Sequence, residues 1–226
     1  MEGEHELVGN FLRELPVSRT AVSTIGDLLG TQTVAASDPT AARLDELQFD
    51  LGEGPCWDAV RSRRPVHHPD LRVDSTGWPV FREAVLAEGI NALFAFPLFV
   101  GPLQVGAVDL YSNRPLRLDA VQERPASELA DVAARTVLQR ALESAVGDAD
   151  DDLAEDDNPY SRKIIHQATG MVLAQLGIGP DDARMVIQAH AFASNRSMMS
   201  VAQEILDRRL DFSDPDLGSG SGSGQR

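Results

Sequence analysis

The sequence predicts an α+β domain with helices packed on an antiparallel sheet, followed by an all-α segment of three helices. Two apolar runs at 92–100 and 105–111, joined by a Gly-Pro turn, are typical of a β-hairpin. Residues 159–212 instead show apolar positions at helical spacing. Between them lies the stretch GDADDDLAEDDN at 147–158, which has no aromatic or β-branched residue and is predicted to be a solvated linker.

The elements of the first segment, which we bound at 1–146, follow from local composition. The β-branched runs at 17–25 and 30–36 predict another pair of strands. Residues 41–48 have helical spacing, and the Gly/Pro-rich turn at 51–56 leads into a short helix. Pro79 opens a helix over 78–86, and a long helix over about 119–145 closes the segment. This combination predicts a sheet with helices packed on it.

Three helices are predicted in the second segment, which we bound at 159–212. The first covers about 160–176 and ends at Gly177, a residue that suits a helix C-terminus. The second begins after Gly179 with Pro180 at its first position and continues to about 192 or 193. The third is capped by Ser197 or Ser200 and extends to about 210. The Gly/Ser-rich tail at 213–226 is flexible by composition.

The charge of the chain is distributed unevenly. The 226 residues carry a net charge of −15, which at face value argues against a nucleic-acid or anionic-membrane partner. Residues 1–142 sum to −7, residues 143–157 to −8, and residues 158–212 to +1. The local values therefore do not exclude a nucleic-acid partner for the second segment, with an affinity that salt would weaken.

Several classes of protein are not favoured by the sequence. No apolar run has the length of a membrane span, and the acidic N-terminus does not resemble a secretory signal, so we expect a cytoplasmic protein. Cys56 is the single cysteine and cannot form an internal disulfide; we interpret it as a small packed residue. The single lysine, Lys163, among 20 basic residues favours a GC-rich bacterial source.

Four stretches of the first segment resemble the GAF domains of actinobacterial regulators. They are LQFDLGEGPCWDAV at 47–60, PVHHPDL at 65–71, WPVFREAVLAEGINALFAFPL at 78–98 and VGAVDLY at 105–111. The resemblance implies a sensor for a small molecule, but it does not name the ligand, and no cofactor is predicted.

Candidate ligand-binding residues in this segment are aromatic, with one acid in an apolar strand. A buried acid is costly without a partner, so the acid could face a pocket, an edge or solvent. For each aromatic residue, core packing is the alternative interpretation. Adjacent His67 and His68 point to opposite faces of an extended segment and would chelate one ion poorly, so no metal site is predicted. The pocket candidates are Trp57, Trp78, Phe81, Phe94, Phe96 and Asp109.

A helical wheel divides the first helix of the second segment into two arcs. The apolar arc is predicted to be buried, and the outer arc is basic and polar. Gly170 lies on the outer arc, where it costs the helix about 1 kcal/mol relative to alanine. Leu173 is on the same arc. Both favour an interaction surface over a plain solvated face. The outer arc holds Arg162, Lys163, His166, Gln167, Gly170, Leu173 and Ala174.

The second segment is similar to the ANTAR domain, a three-helix RNA-binding module of transcription antiterminators. The ordered match includes RKIIHQATG at 162–170, Gly177, Asp182-Ala183, the alanines at 189 and 191, and VAQEIL at 201–206. Thr169 stands where the family usually has a basic residue. The resemblance implies binding of RNA stem-loops in nascent transcripts by a homodimer.

The chemistry of the polar residues in this segment is consistent with RNA binding. Arg162, Lys163 and His166 would contact phosphate, and Gln167 would hydrogen-bond a base edge. Gly170 would allow close approach. Arg196, Arg208 and Arg209 are secondary phosphate candidates. For the last two, capping of the third helix dipole is an equal alternative.

Three functions therefore compete at this point. The favoured one is a regulator in which a GAF sensor controls an ANTAR RNA-binding domain, with no membrane or DNA partner. The second is a signalling or dimerisation module that binds a protein partner and no RNA. An enzyme is not favoured, because the sequence has no Gly-rich phosphate loop, metal-spaced cluster or nucleophile beside a base.

Overall fold

A computed structural model describes residues 2–26, 28–74, 77–147, 162–194 and 196–213. The predicted linker beyond residue 147 and the predicted tail beyond residue 213 lie outside these ranges. The chain divides into two compact units, the first within residues 1–161 and the second within 162–226. Each unit is described by itself.

The first unit is built on a five-stranded sheet in which every neighbouring pair is antiparallel. The strands are β1 (Arg19–Thr24), β2 (Gln32–Ala36), β3 (Val66–His68), β4 (Ala92–Val100) and β5 (Leu103–Ser112). Their order across the sheet is β2-β1-β5-β4-β3. Both predicted strand pairs are confirmed, and β5 joins them by pairing with β1 as well as with β4.

Five helices pack on this sheet. They are α1 (Glu2–Glu14), α2 (Pro39–Leu51), α3 (Pro55–Ser62), α4 (Pro79–Ala87) and α5 (Ala120–Gly147). Helices α2 to α5 confirm the predicted elements, with α2 extended at both ends. Helix α1 was not predicted, although Leu7, Val8, Phe11 and Leu15 follow a helical spacing and are all buried.

The sheet has a helical layer on each face. Phe94, Phe96 and Val108 pack against α1 and α5 in one cluster. On the other face, Leu93 and Tyr111 pack with residues of α2 and α4, and Ala107 packs with Phe49 of α2 and Cys56 of α3. Side chains alternate across a strand, so neighbouring residues of β4 and β5 belong to different cores.

The entry into β5 depends on one glycine. At Gly106 the backbone of β1 passes so close that an added Cβ would lie 2.8 Å from the carbonyl carbon of Ser23. Gly106 pairs with Thr24 and Leu98, so the close approach lies in the middle of the sheet. A larger residue here would push β1 away from β5.

The second unit consists of α6 (Lys163–Leu176), α7 (Pro180–Ala193) and α8 (Met198–Leu206). Gly177 ends α6 in the left-handed conformation, with φ of 65°. Ser197 caps α8 by accepting a hydrogen bond from the Ser200 backbone amide, so the first of the two predicted caps is confirmed. Helix α8 ends at Leu206, four residues earlier than predicted, and Arg208 follows with φ of 57°.

Candidate functional site

The first unit, which we call the sensor unit after its predicted role, contains a buried acidic side chain in the middle of the sheet. Asp109 on β5 pairs with Ala95 on β4 and points to the face covered by α2, α3 and α4. Its Oδ2 accepts hydrogen bonds from the side-chain amide of Gln48 and, at 3.5 Å, from the hydroxyl of Tyr111. No described residue donates a hydrogen bond to its Oδ1, which is also buried. Asp109 therefore carries an unused hydrogen-bonding position inside the domain.

A second buried carboxylate lies on the same face. Asp45 of α2 accepts hydrogen bonds from Ser23 Oγ at 3.2 Å and from Thr33 Oγ1 at 2.6 Å. These donors come from β1 and β2, so the carboxylate joins α2 to the edge of the sheet that is far from β3. Asp45 also raises the pKa of Asp109 by electrostatic repulsion, which places the two carboxyl groups in one electrostatic cluster.

Gln48 connects this cluster to the Gly/Pro-rich turn. Its Oε1 accepts the backbone N–H of Cys56 at 3.0 Å, and its carbonyl oxygen accepts the indole N–H of Trp57 at 2.9 Å. Gly54 precedes α3 with φ of 136°, and an added Cβ there would lie 2.7 Å from Gln48 Cγ. The turn therefore needs glycine both for its backbone conformation and for the space that Gln48 occupies.

Burial raises the pKa of three titratable groups in this cluster. Burial raises the pKa of the Asp109 carboxyl well above its ordinary value, and the nearby Asp45 raises it further. Burial likewise raises the pKa of the Cys56 thiol. The Tyr111 hydroxyl has a raised pKa for the same reason. Cys56 is fully buried in the cluster with Phe49 and Ala107, so its interpretation as a small packed residue is confirmed.

Gln48, Asp45 and Tyr111 were not among the sequence-predicted site residues. The signal that could have found the first two is their position in α2. Asp45 and Gln48 fall on the same helical stripe as the buried Ala41 and Leu44, where apolar residues are expected. A polar residue on a buried stripe needs a partner, and here the partners come from the sheet.

The six predicted pocket residues do not surround one cavity, so the prediction of a single pocket is wrong. Phe94 and Phe96 face α1 and α5, whereas Asp109 lies opposite Ala95, the residue between them, and faces the other way. The physical reason is the alternation of side chains along β4, which a list of aromatic residues ignores.

The other three aromatic candidates lie on the same side of the sheet as Asp109, where they are packed as core. Trp78 and Phe81 are buried in one cluster, and the indole N–H of Trp78 donates to Asp58 at 3.0 Å. Trp57 is half-buried, and its ring is perpendicular to that of Phe49, with 6.2 Å between the ring centroids. Core packing, the alternative interpretation, thus describes them.

The two adjacent histidines point to opposite faces, as predicted. His67 makes a T-shaped contact with Phe94, with 5.4 Å between the ring centroids, and His68 makes one with Trp78 at 5.0 Å. Burial lowers the pKa of His68, although Asp74 at 3.7 Å opposes that shift. Among the described residues, no three His, Cys, Asp or Glu side chains gather in a way that could hold a metal ion.

In the second unit, one face of α6 is open to solvent. Lys163, His166, Gln167, Gly170 and Ala174 are exposed, and they follow the i, i+3, i+4, i+7 spacing of a single face. A Cβ added at Gly170 would meet no atom within 4 Å. The glycine is therefore not needed for packing inside this unit. It leaves the helix backbone accessible from outside.

Two residues of the predicted outer arc do not lie on this open face. Arg162 is only 6% exposed and is the N-cap residue of α6, where its guanidinium lies 3.8 Å from the Met198 sulfur. Leu173 is half-buried and packs against the helical core. Placing Arg162 and Leu173 on an exposed arc was therefore wrong, because Met198 of α8 contacts Arg162 and the helical core covers part of Leu173. A helical wheel includes neither of these neighbours.

The remaining predicted cations have partners in α8 or lie at its end. Arg196 bonds to Glu204 at 2.7 Å and to the Ser200 hydroxyl at 2.8 Å. Arg209 pairs with Asp207 at 2.8 Å, and Arg208 is exposed beside it. Both follow the last turn of α8, where a positive charge stabilises the helix dipole. His190 is half-buried, and its ring lies roughly perpendicular to that of Phe212, with 5.4 Å between the ring centroids.

Together, these features define a class of regulatory protein: an α+β domain of the sensor type followed by a three-helix domain with one open polar face. Residues 4–147 match the family model of the GAF domain, and residues 159–206 match that of the ANTAR domain. The chain belongs to the GAF domain family and carries an ANTAR domain after it. Both are regulatory domains.

Solved structures support the fold of the first unit. A domain assigned to the two-component sensor histidine kinases, from Sinorhizobium meliloti 1021, superposes with a TM-score of 0.52 at 20% identity, covering 65% of this chain and 95% of its own. The GAF domain of a two-component sensor histidine kinase from Bacillus halodurans superposes with a TM-score of 0.50 at 9% identity, covering 64% of this chain and 97% of its own. These likenesses show the fold alone.

A further similar structure is an enzyme. It is the type II free methionine-R-sulfoxide reductase from Thermoplasma acidophilum, with a TM-score of 0.45 at 15% identity, covering 61% of this chain and 91% of that one. No protein of curated function matches the chain significantly. Across the described ranges, no helix has both the length and the hydropathy to cross a bilayer.

Proposed function

We propose that this protein is a signal-responsive transcription antitermination regulator of the actinobacterial type. In this proposal the ANTAR domain binds RNA stem-loops in nascent transcripts in the cytoplasm, and the GAF domain controls that binding. The observation that carries it is the open face of α6, where Lys163, His166, Gln167 and Gly170 lie together with no covering element among the described residues. Because both matched families are regulatory, we assign no catalytic step to the chain.

The chemistry of this face suits an RNA loop. Lys163 supplies a cation for a phosphate, and Gln167 can donate to and accept from a base edge. RNA loops present unpaired bases whose edges are accessible, unlike those in the deep groove of an RNA helix. Gly170 allows the RNA backbone to approach the helix to van der Waals distance. With one lysine on the face, binding should depend on only a few phosphate contacts.

The signal is proposed to be a small ligand of the GAF domain. The face covered by α2 and α3 is the best place for it, since Asp109 Oδ1 lacks a hydrogen bond there. A ligand that offers a hydrogen bond to this carboxyl would supply the missing partner and would shift the helices that Gln48 ties to the sheet.

A homodimer is part of the proposal, because two domains can hold two hairpins. Helix α5 presents Val132 and Leu142 to solvent, at 48% and 59% exposure. A groove of about 140 Å³ lies next to Val132, between α1 and α5. We expect Leu142→Glu to lower the dimer fraction in light scattering. The same change at Val121, which is 81% exposed at the other end of α5, serves as the control.

Gel-shift titration with a pool of tandem-hairpin RNAs of randomised loops tests the proposal. The full chain should bind, and Lys163→Ala should weaken binding several-fold and reduce the slope of log K against log salt by about one. Arg184→Ala is the matched control, since Arg184 is an exposed cation of α7 that does not lie on the α6 face. Normal dimerisation without RNA binding would instead favour the protein-partner function.

A further inference from the structure

Helix α7 carries an exposed apolar stripe that the fold of the second unit does not use. Met185 and Phe192 are 63% and 66% exposed, and the exposed Ala189 lies between them. Their spacing of four and three residues puts them on one face. The opposite face of the same helix packs into the core through Ala183, Ile187 and Ala191.

Phe192 lies at the end of the unit where α6 and α8 begin. Arg162, at the start of α6, contacts Met198, at the start of α8. Phe192 is in the last turn of α7, just before the short connection to α8. In that connection the Arg196 backbone N–H donates to the carbonyl oxygen of Ala191, the residue before Phe192. The exposed ring is therefore at the same end of the domain as Lys163 and Arg196. The other end of the stripe, near Met185, is close to Asp181 and Asp182.

We propose that the Phe192 ring is a stacking platform for one unpaired base of the RNA loop. This inference rests on the proposed RNA-binding function and adds a residue to it on a second helix. Proteins that bind splayed bases combine aromatic faces with nearby cations, and this end of the domain offers both. The acids near Met185 repel phosphate, so the base belongs at Phe192 and the Met185 end stays outside the complex.

The size of the stripe favours a base over a second copy of the chain. A stable protein interface takes about 20–30 residues from each side. The stripe has three apolar side chains, bordered at its start by two acids. A single aromatic ring, in contrast, is large enough to stack one base. By alanine substitution such a contact corresponds to roughly a 5- to 150-fold change in affinity.

A substitution series on the full chain tests this inference. RNA dissociation constants should rise at least fivefold for Phe192→Ala and Phe192→Leu and stay near the wild-type value for Phe192→Trp, because tryptophan keeps a stacking face and leucine does not. Met185→Ala is the matched control, an exposed apolar residue on the same stripe, and should leave affinity unchanged. RNA with 2-aminopurine at one loop position should show fluorescence quenching on binding that Phe192→Leu removes.

The outcomes separate this inference from the function on which it rests. If the wild-type chain binds no hairpin RNA, the proposed function and this inference both fail. If the wild type binds and Phe192→Leu binds equally well with full quenching, only the stacking role is overturned. A loss of dimer on Phe192→Ala with unchanged RNA affinity would overturn it as well, and would assign the stripe to contact between copies.

Discussion

Replacing Gly170 by alanine should make α6 more stable and RNA binding weaker. Glycine inside a helix costs about 1 kcal/mol relative to alanine. The added methyl group at position 170 meets no atom within 4 Å, so no clash offsets the gain in helix propensity. A residue that lowers stability without a packing reason inside its own domain is expected where another molecule needs the space.

Hydrogen–deuterium exchange of the full chain measures the first effect locally. A gain of about 1 kcal/mol corresponds to exchange roughly fivefold slower in the amides of α6 that open with the whole unit. Gel-shift titration with the tandem-hairpin pool measures the second. If RNA contacts the helix backbone at Gly170, the methyl group must displace it, and we expect the dissociation constant to rise at least tenfold.

Gly9→Ala provides the matched control. Gly9 lies inside α1 of the sensor unit, and an added Cβ would have the Arg13 guanidinium as its nearest neighbour, at an ordinary distance of 3.6 Å. It should slow exchange in α1 and leave RNA affinity unchanged. Slower exchange in α6 with an unchanged dissociation constant for Gly170→Ala would refute close approach at this face. Faster exchange would refute the claim that the position is open.

Three further substitutions test the fold and the acidic cluster. Burial raises the pKa of the Asp109 carboxyl in the folded state above its pKa in the unfolded state. Protonation of this carboxyl therefore stabilises the wild type fully at a pH below the unfolded pKa, and this stabilisation is lost as the pH rises through the folded pKa. Asp109→Asn removes the titrating group. The urea midpoint of the variant minus that of the wild type should therefore grow with pH, and a constant difference would contradict the assignment. Gly106→Ala should cost roughly 3 kcal/mol in tryptophan-monitored unfolding, because its methyl group would meet the Ser23 backbone; wild-type stability would show that β1 can shift. Ser197→Ala removes the cap on the Ser200 amide and should cost about 1 kcal/mol, seen as faster exchange in α8 with unchanged exchange in β4 as the control.

The elements of the fold were predictable where the sequence carries a strong local signal. The hairpin of β4 and β5 follows from two apolar runs around Gly101 and Pro102. Pro180 and Gly177 mark the connection between α6 and α7, and the structure places it there. Helix α1 was missed because its acidic start resembles a solvated terminus, although Phe11 and its apolar neighbours are fully packed. Their burial depends on α5 and the sheet, which local composition does not reveal.

The site was predictable only in part, for the same reason. The exposed face of α6 follows from helical periodicity, and Lys163, His166 and Gln167 are where the wheel places them. Arg162 lies beneath Met198, a residue 36 positions later, and no local pattern contains that contact. In the sensor unit, strand alternation could have separated Phe94 from Asp109, but their partners on α1, α2 and α5 come from the fold.

By itself the sequence determined most of the helices and strands, the boundaries that proline and glycine mark, and the exposed polar residues at the centre of the α6 face. These properties depend on spacing, on proline and glycine, and on charge, all of which act over a few residues. Only the tertiary structure decided that Asp109, Asp45 and Gln48 form one cluster and that Phe192 stays exposed. Burial and hydrogen-bond pairing depend on which residues far apart in the sequence come into contact, and the packing of the helices on the sheet determines those contacts.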